Sequence, residues 1–302
     1  MSDTITSPTR SNPARWLVVA VPYFWMLVFF LAPFLIIAKI SLSDTAIAMP
    51  PYVPVWSGFS TIGTFFQGLD FENYTFLTED PLYFNAYLSS LRIALISTVL
   101  ILLIAYPMAL AMARAPATTR SALLMMVILP FWTSFLIRVY AWIGILKPEG
   151  LATLVLQTIG FLGPDEQLQI FRTQTAIFIG IVYSYLPFMI LPLYAALEKL
   201  DGTLLEAASD LGCPPWRAFW RITFPLSMPG VMAGSLICFI PITGEFVIPD
   251  LLGGPNTLMI GKTLWVEFFG NRDWPLASAV AVILLALLVV PIAIFQNQQQ
   301  KA

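Results

Sequence analysis

Any chemistry in this sequence has to be built from few reactive side chains. The 302 residues include no histidine. That excludes a Ser-His-Asp triad, a Cys-His pair and a histidine-ligated zinc or haem. The two cysteines, Cys213 and Cys238, are far from CxxC spacing, so neither a thiolate metal site nor a disulfide framework is expected. Hydrophobic residues make up 58% of the chain and charged residues 11%. Against that background one carboxylate, Glu245, and one guanidinium, Arg138, interrupt long apolar stretches. A charged side chain at the bilayer centre costs roughly 2.5–3.5 kcal/mol on insertion scales, and it faces a cavity or a partner. Three readings of Glu245 stay open: counter-charge to a cation in a pathway, ion pair with Arg138, or interfacial carboxylate near a helix end. Asp250 follows five positions on, towards the outer mouth. Trp132, Tyr140 and Trp142 offer aromatic faces, which attract organic cations but more often pack or form interfacial belts.

The elements that hold these residues must cross a membrane. A soluble domain carries about 25% charged residues, and the apolar residues here are concentrated in runs, not dispersed. A span needs about 20 residues. An open strand edge cannot be satisfied in lipid, so the spans are helices. The expected fold is all-α and integral to the membrane. Six transmembrane helices are expected at about 16–38, 88–113, 121–146, 173–197, 230–249 and 275–296. They form a single transmembrane domain over 16–297, between tails 1–15 and 298–302. The start of the fifth charge-free run, from Ile222, is read as interfacial. The outer loop 39–87 holds Pro50-Pro51, Pro54 and several aromatics, so turns order it, not a long helix.

Orientation follows the positive charges. With both termini cytoplasmic, the short inner segments hold Arg10, Arg15, Arg114, Arg120, Lys199, Arg217, Arg221 and Lys301. The longer outer segments hold Lys39, Arg92, Lys147, Arg172, Lys262 and Arg272. Positive density is higher inside, as the positive-inside rule requires. The net charge is −2 and no basic run exists, so no nucleic-acid partner is expected.

The inner segment 198–228 is the most patterned. Thr203 and Glu206 have the spacing of a capping box. Leu204–Leu211 follows as a short helix, and Gly212 suits the left-handed position that ends one. Pro214 and Pro215 suit the first turn of a second short helix, about Pro215–Thr223, with Trp216, Phe219 and Trp220 on one side.

That segment carries a resemblance. Glu206-Ala207-Ala208, three residues, Gly212, nine residues, Ile222, one residue, then Phe224-Pro225 resembles the E-A-A-x3-G-x9-I-x-L-P signature. This is the mark of permease subunits in type I ATP-binding-cassette importers, which have the MetI-like architecture. Phe224 in place of Leu is the one departure. The stretches from Pro81 to Leu88, Leu129 to Trp142, Gly244 to Pro255 and Asn271 to Ala279 look like the polyamine importer permeases. Within that group they look like the first permease subunit of putrescine systems. The resemblance implies a heteromeric importer in a bacterial inner membrane. Its partners would be a second permease subunit, two copies of a cytoplasmic ATPase, a periplasmic polyamine-binding protein and membrane lipid. It also implies that Glu206, Ala207, Ala208, Gly212, Ile222 and Pro225 couple to the ATPase. Glu245, Asp250, Tyr140, Trp132, Trp142 and Arg138 become candidates for a substrate pathway, with Glu245 facing a substrate ammonium. The chain has no G-x-x-x-x-G-K-[ST] phosphate loop. It is therefore expected to be no enzyme and to hold no cofactor, with ATP and Mg on the partner ATPase. The expected cargo is putrescine, then spermidine. The alternatives are another organic cation or small solute in the same class, or an ion-coupled secondary transporter.

Overall fold

The computed structural model describes residues 13–55, 67–255 and 257–299. Most of both expected tails, and Trp56, Phe59, Phe65 and Phe66 of the outer loop, lie outside the described residues. The chain divides into two compact units, Met1–Phe76 with Arg272–Val282, and Leu77–Asn271 with Ile283–Ala302. Among the described residues, five helices are long and apolar enough to cross a membrane, or six if one bent pair counts as a single span.

In the first unit, α1 (Pro13–Met26), a π-turn (Leu27–Leu31) and α2 (Ala32–Ile40) run end to end. Side chains from Val18 to Pro33 are exposed. A helix that is apolar all round belongs in lipid or against another chain. The segment that follows folds into a two-stranded antiparallel ribbon. Strand β1 (Asp44–Thr45) pairs with β2 (Tyr52–Val53) in the register Asp44 to Val53. Helix α3 (Glu72–Glu79) follows. Its Asn73 Nδ2 donates to the carbonyls of Ser41 and Ser43 at 3.2 and 2.9 Å. Thr45 Oγ1 donates to Asp273 Oδ1 at 2.8 Å, beside the start of α14 (Trp274–Gln299).

The second unit is built round three helices: α4 (Pro81–Arg114), α8 (Gln174–Glu198) and α11 (Phe224–Thr243). Asp80 caps α4 by accepting the Leu82 amide at 2.8 Å, and Pro81 fills the first helical position. Ala86, Ser90, Ala94, Ser97, Ile101, Ala105 and Ala109 are buried along one face of α4. Small residues at helical spacing let backbones approach closely, which is how helices associate in lipid. Gly230 on α11 is one such point. A Cβ there would sit 2.5 Å from Ala196 Cβ and 2.8 Å from the Pro192 carbonyl.

Three expected spans are corrected. Helix α4 starts at Pro81, before the expected 88, because it extends beyond the apolar run to its cap. The expected span 121–146 is not straight. It comprises α5 (Ala117–Ile128) with a 3-10 turn (Leu129–Trp132), then α6 (Phe135–Leu146), bent by 89°. Thr133 and Ser134 between them are extended, at ψ 150 and 138. Pro130 in the 3-10 turn begins the break.

The fifth expected span, 230–249, does not coincide with one helix. Helix α10 (Pro215–Ala218), a π-turn (Phe219–Thr223) and α11 run on without interruption and stop at Thr243. The separate short helix expected at Pro215–Thr223 is therefore the first part of that span. The π-turn has a cause. A proline at 225 would drive its ring against the carbonyl of residue 221 in an α-helix. The wider turn, closed by the Phe224 amide on the Phe219 carbonyl, relieves that contact. Beyond Thr243 the chain breaks at Gly244 and restarts as the short α12 (Val247–Leu252).

Candidate functional site

Two places concentrate the candidate residues. The first is the elbow between α8 and α10. Helix α9 (Thr203–Asp210) is capped by Asp201, whose Oδ1 accepts the Thr203 amide at 3.0 Å. Hydrogen bonds from the Thr203 amide and hydroxyl hold the Asp201 carboxyl below the usual carboxylate range. The expected capping box is thus corrected: Asp201, not Thr203, is the cap. The Glu206 side chain makes no hydrogen bond or ion pair among the described residues, and it is exposed.

The helix ends on Gly212, at φ +73. The Cys213 amide donates to the Ala208 carbonyl at 2.9 Å, and the Gly212 amide to Ser209 at 2.8 Å. This pair of bonds is a Schellman closure, which favours glycine because only glycine enters the left-handed region freely. Ala208 is buried against the body of the protein, while Ala207 faces out. Leu204, Leu211, Trp216 and Trp220 are exposed around the elbow. Ile222 lies half-buried in the π-turn, and Pro225 is exposed. Next to the elbow, Arg120 Nη1 donates to Glu198 Oε1 at 2.8 Å, and Nη2 donates to the Ala113 and Ala115 carbonyls. One guanidinium thus ties the ends of α4 and α8 to the start of α5.

The second place is a cavity of 550 Å³ between the 3-10 turn Leu129–Trp132, α6, α8 and α11. Glu245 lines it and is only 8% exposed. Its Oε2 accepts the Tyr185 hydroxyl at 2.6 Å. Its Oε1 accepts the amides of Phe246, Val247 and Ile248 at 3.2, 3.0 and 3.5 Å. A buried carboxylate must be compensated, and here a hydroxyl and the start of α12 do it. Arg138 lines the same cavity. Its guanidinium carbon lies 5.0 Å from the Phe131 ring centre and 5.8 Å from that of Phe135. Among the described residues Arg138 and Glu245 form no ion pair, so that reading of Glu245 is corrected.

The other pathway candidates stand apart from the cavity. Asp250 is exposed and pairs with Lys262 Nζ at 3.3 Å. Trp132 is 72% exposed and Tyr140 58%. Trp142 packs edge-on against Tyr183 at 5.4 Å. The structure adds cavity residues that sequence reasoning passed over: Ser184, Tyr185, Phe131, Phe135 and Phe188. A search for charges does not register hydroxyls or rings. A second buried carboxylate was missed as well. Glu267 accepts the Tyr83 hydroxyl at 3.0 Å and Asn271 Nδ2 at 2.7 Å.

A membrane-crossing chain with a glycine-closed elbow between two long helices invites comparison with transport proteins. The family described as "Binding-protein-dependent transport system inner membrane component" matches residues 86–302. The chain belongs to that family. It is thus an inner-membrane component of a binding-protein-dependent transport system, with several apolar helices for the bilayer. Family relatives are transport permeases, not enzymes. The spermidine/putrescine transport system permease protein PotB of Haemophilus influenzae is 38% identical over 286 residues, covering 92% of this chain and 93% of that one. PotB of Escherichia coli is 42% identical over 224 residues, covering 74% and 80%. The inner membrane ABC transporter permease protein YdcU of Escherichia coli is 34% identical over 253 residues, covering 77% and 79%. Among solved structures, a bacterial alginate ABC transporter in complex with an alginate-bound periplasmic protein has the same fold. Its TM-score is 0.70 at 16% identity, over 96% of each chain.

Proposed function

We infer that the chain is one permease subunit of an ATP-driven polyamine importer, carrying putrescine first and spermidine second. The observation that carries this is the similarity to PotB proteins at 38% and 42% identity, in one case over more than nine-tenths of both chains. Six spans with both termini in the cytoplasm, the bent α5–α6 pair counting as one, fit this role. A second permease subunit completes the pathway, two copies of a cytoplasmic ATPase drive it, and a periplasmic polyamine-binding protein delivers the cargo. ATP and Mg are bound by the ATPase, and this chain holds no cofactor.

The elbow is the coupling element in this reading. Its exposed Glu206, Ala207 and apolar rim offer a surface for the ATPase, with Glu206 free to pair with a basic residue there. Ala208, Gly212, Ile222 and Pro225 fix the elbow to the fifth span. A rigid-body motion of the ATPase is then passed to α8 and α11. Glu245 lies on the substrate pathway as a counter-charge.

The test is uptake of labelled putrescine and spermidine by the reconstituted complex with its binding protein. ATP-dependent uptake of both is expected. Uptake that follows an ion gradient and ignores ATP would move the chain to the secondary transporters. ATP-driven uptake of some other solute alone would remove the polyamine assignment.

A further inference from the structure

We propose that the groove between the elbow ends of α8 and α11 holds one anionic phospholipid, with an acyl chain along its floor and the phosphate on Lys199. The proposal takes from the transport reading only that this end faces the cytoplasm. The groove has a volume of 490 Å³. Pro192, Ala195 and Ala196 of α8 line it together with Leu226, Pro229 and Ala233 of α11. Its floor is the Gly230 contact, where the helices come so close that a Cβ would meet Ala196 Cβ at 2.5 Å. Ala195, Lys199, Leu226 and Pro229 are exposed, so the groove is open. Lys199 is the one lining side chain with a polar atom.

Depth and charge together select the occupant. Helix α8 is 25 residues long, and Glu198 at its end is its first charge. That length is about 37 Å, against a hydrocarbon core of about 30 Å. Lys199, the next residue, therefore stands at the level of the lipid headgroups, and Pro192 lies about 10 Å deeper. Of the two charges at this end, Glu198 is spent. It accepts Arg120 Nη1 at 2.8 Å and a hydrogen bond from Tyr194. The Lys199 side chain has no ion pair or hydrogen bond among the described residues. A free ammonium at headgroup level, at the end of an apolar trough, matches a phosphate with an acyl chain beneath it. A helix of the second permease subunit would match the small apolar walls but not the ammonium. The lipid sits where α8 ends and the elbow begins, wedged between the two helices that the elbow moves.

The experiment is native mass spectrometry of the complete complex, released from bilayers of equal phosphatidylglycerol and phosphatidylcholine. ATP-driven polyamine uptake is measured in parallel. Lys199→Gln is expected to lower the preference for phosphatidylglycerol at one retained lipid about fivefold, the scale of one basic residue near a charged membrane surface. Lys199→Arg is expected to keep that preference. Ala195→Phe fills the groove and is expected to remove one retained lipid from the complex. An unchanged phosphatidylglycerol preference in Lys199→Gln overturns the headgroup site. A full lipid count in Ala195→Phe overturns the groove. Loss of the second permease subunit from that variant, with its lipids retained, also overturns it and makes the groove a protein interface. A wild-type complex that retains the lipid but imports no polyamine overturns the transport reading and leaves the lipid site standing.

Discussion

The Tyr185 hydroxyl donates to Glu245 Oε2 at 2.6 Å across 60 positions of sequence. This single bond joins α8 to the break that follows α11. It also supplies, among the described residues, the one side-chain partner of a carboxylate otherwise held by backbone amides.

Tyr185→Phe removes that partner and keeps the ring. The carboxylate stays buried with a hydrogen bond missing, so the assembled complex is expected to lose about 1–2 kcal/mol of stability. Thermal unfolding of the purified complex measures it. Adding Glu245→Gln is expected to recover part of the loss, because an uncharged amide tolerates burial better. Equal melting of wild type and Tyr185→Phe would mean that the bond contributes nothing.

Gly212 has open space where a Cβ would go, so its constraint is the backbone alone, at φ +73. Asparagine enters that region far more readily than a β-branched residue. Gly212→Asn is therefore expected to retain most coupling. Gly212→Val is expected to insert normally, hydrolyse ATP and fail to import. The ratio of ATP hydrolysed to substrate taken up is the readout. Tight coupling in the valine variant would remove the elbow from the transport cycle.

Gly230 is limited by space. Gly230→Ala drives a methyl group into Ala196 and the Pro192 carbonyl. Overpacking of this kind costs about 1–3 kcal/mol. The α8–α11 contact is expected to loosen, seen as faster hydrogen exchange in both helices. Unchanged exchange would show that the pair yields without cost.

The long helices are legible in the sequence because lipid imposes one simple requirement, a run of about 20 apolar residues. Gly212 is equally legible, since a glycine two residues before a proline pair and after a helical octet has one conformational use. What fails is whatever depends on direction or on distant partners. A charge-free run gives length but not heading, so the 89° turn at Thr133–Ser134 was hidden. The capping pattern at Thr203 and Glu206 was genuine, but Asp201, an equally good cap two residues earlier, won the Thr203 amide. Ser184 and Tyr185 carry no charge, so nothing local marks them. Glu267 reads as a solvated loop residue until Tyr83 arrives from 184 positions away.

The π-turn at Phe219–Thr223 fixes an angular offset between the elbow and α11. A five-residue turn holds one residue more than the helix axis needs, and one residue is worth about 100° of rotation about that axis. The number of residues between Gly212 and Thr243 therefore sets the compass bearing at which α11 delivers Glu245. Deleting one residue there would leave every motif readable and turn the whole far end of the span to a different side.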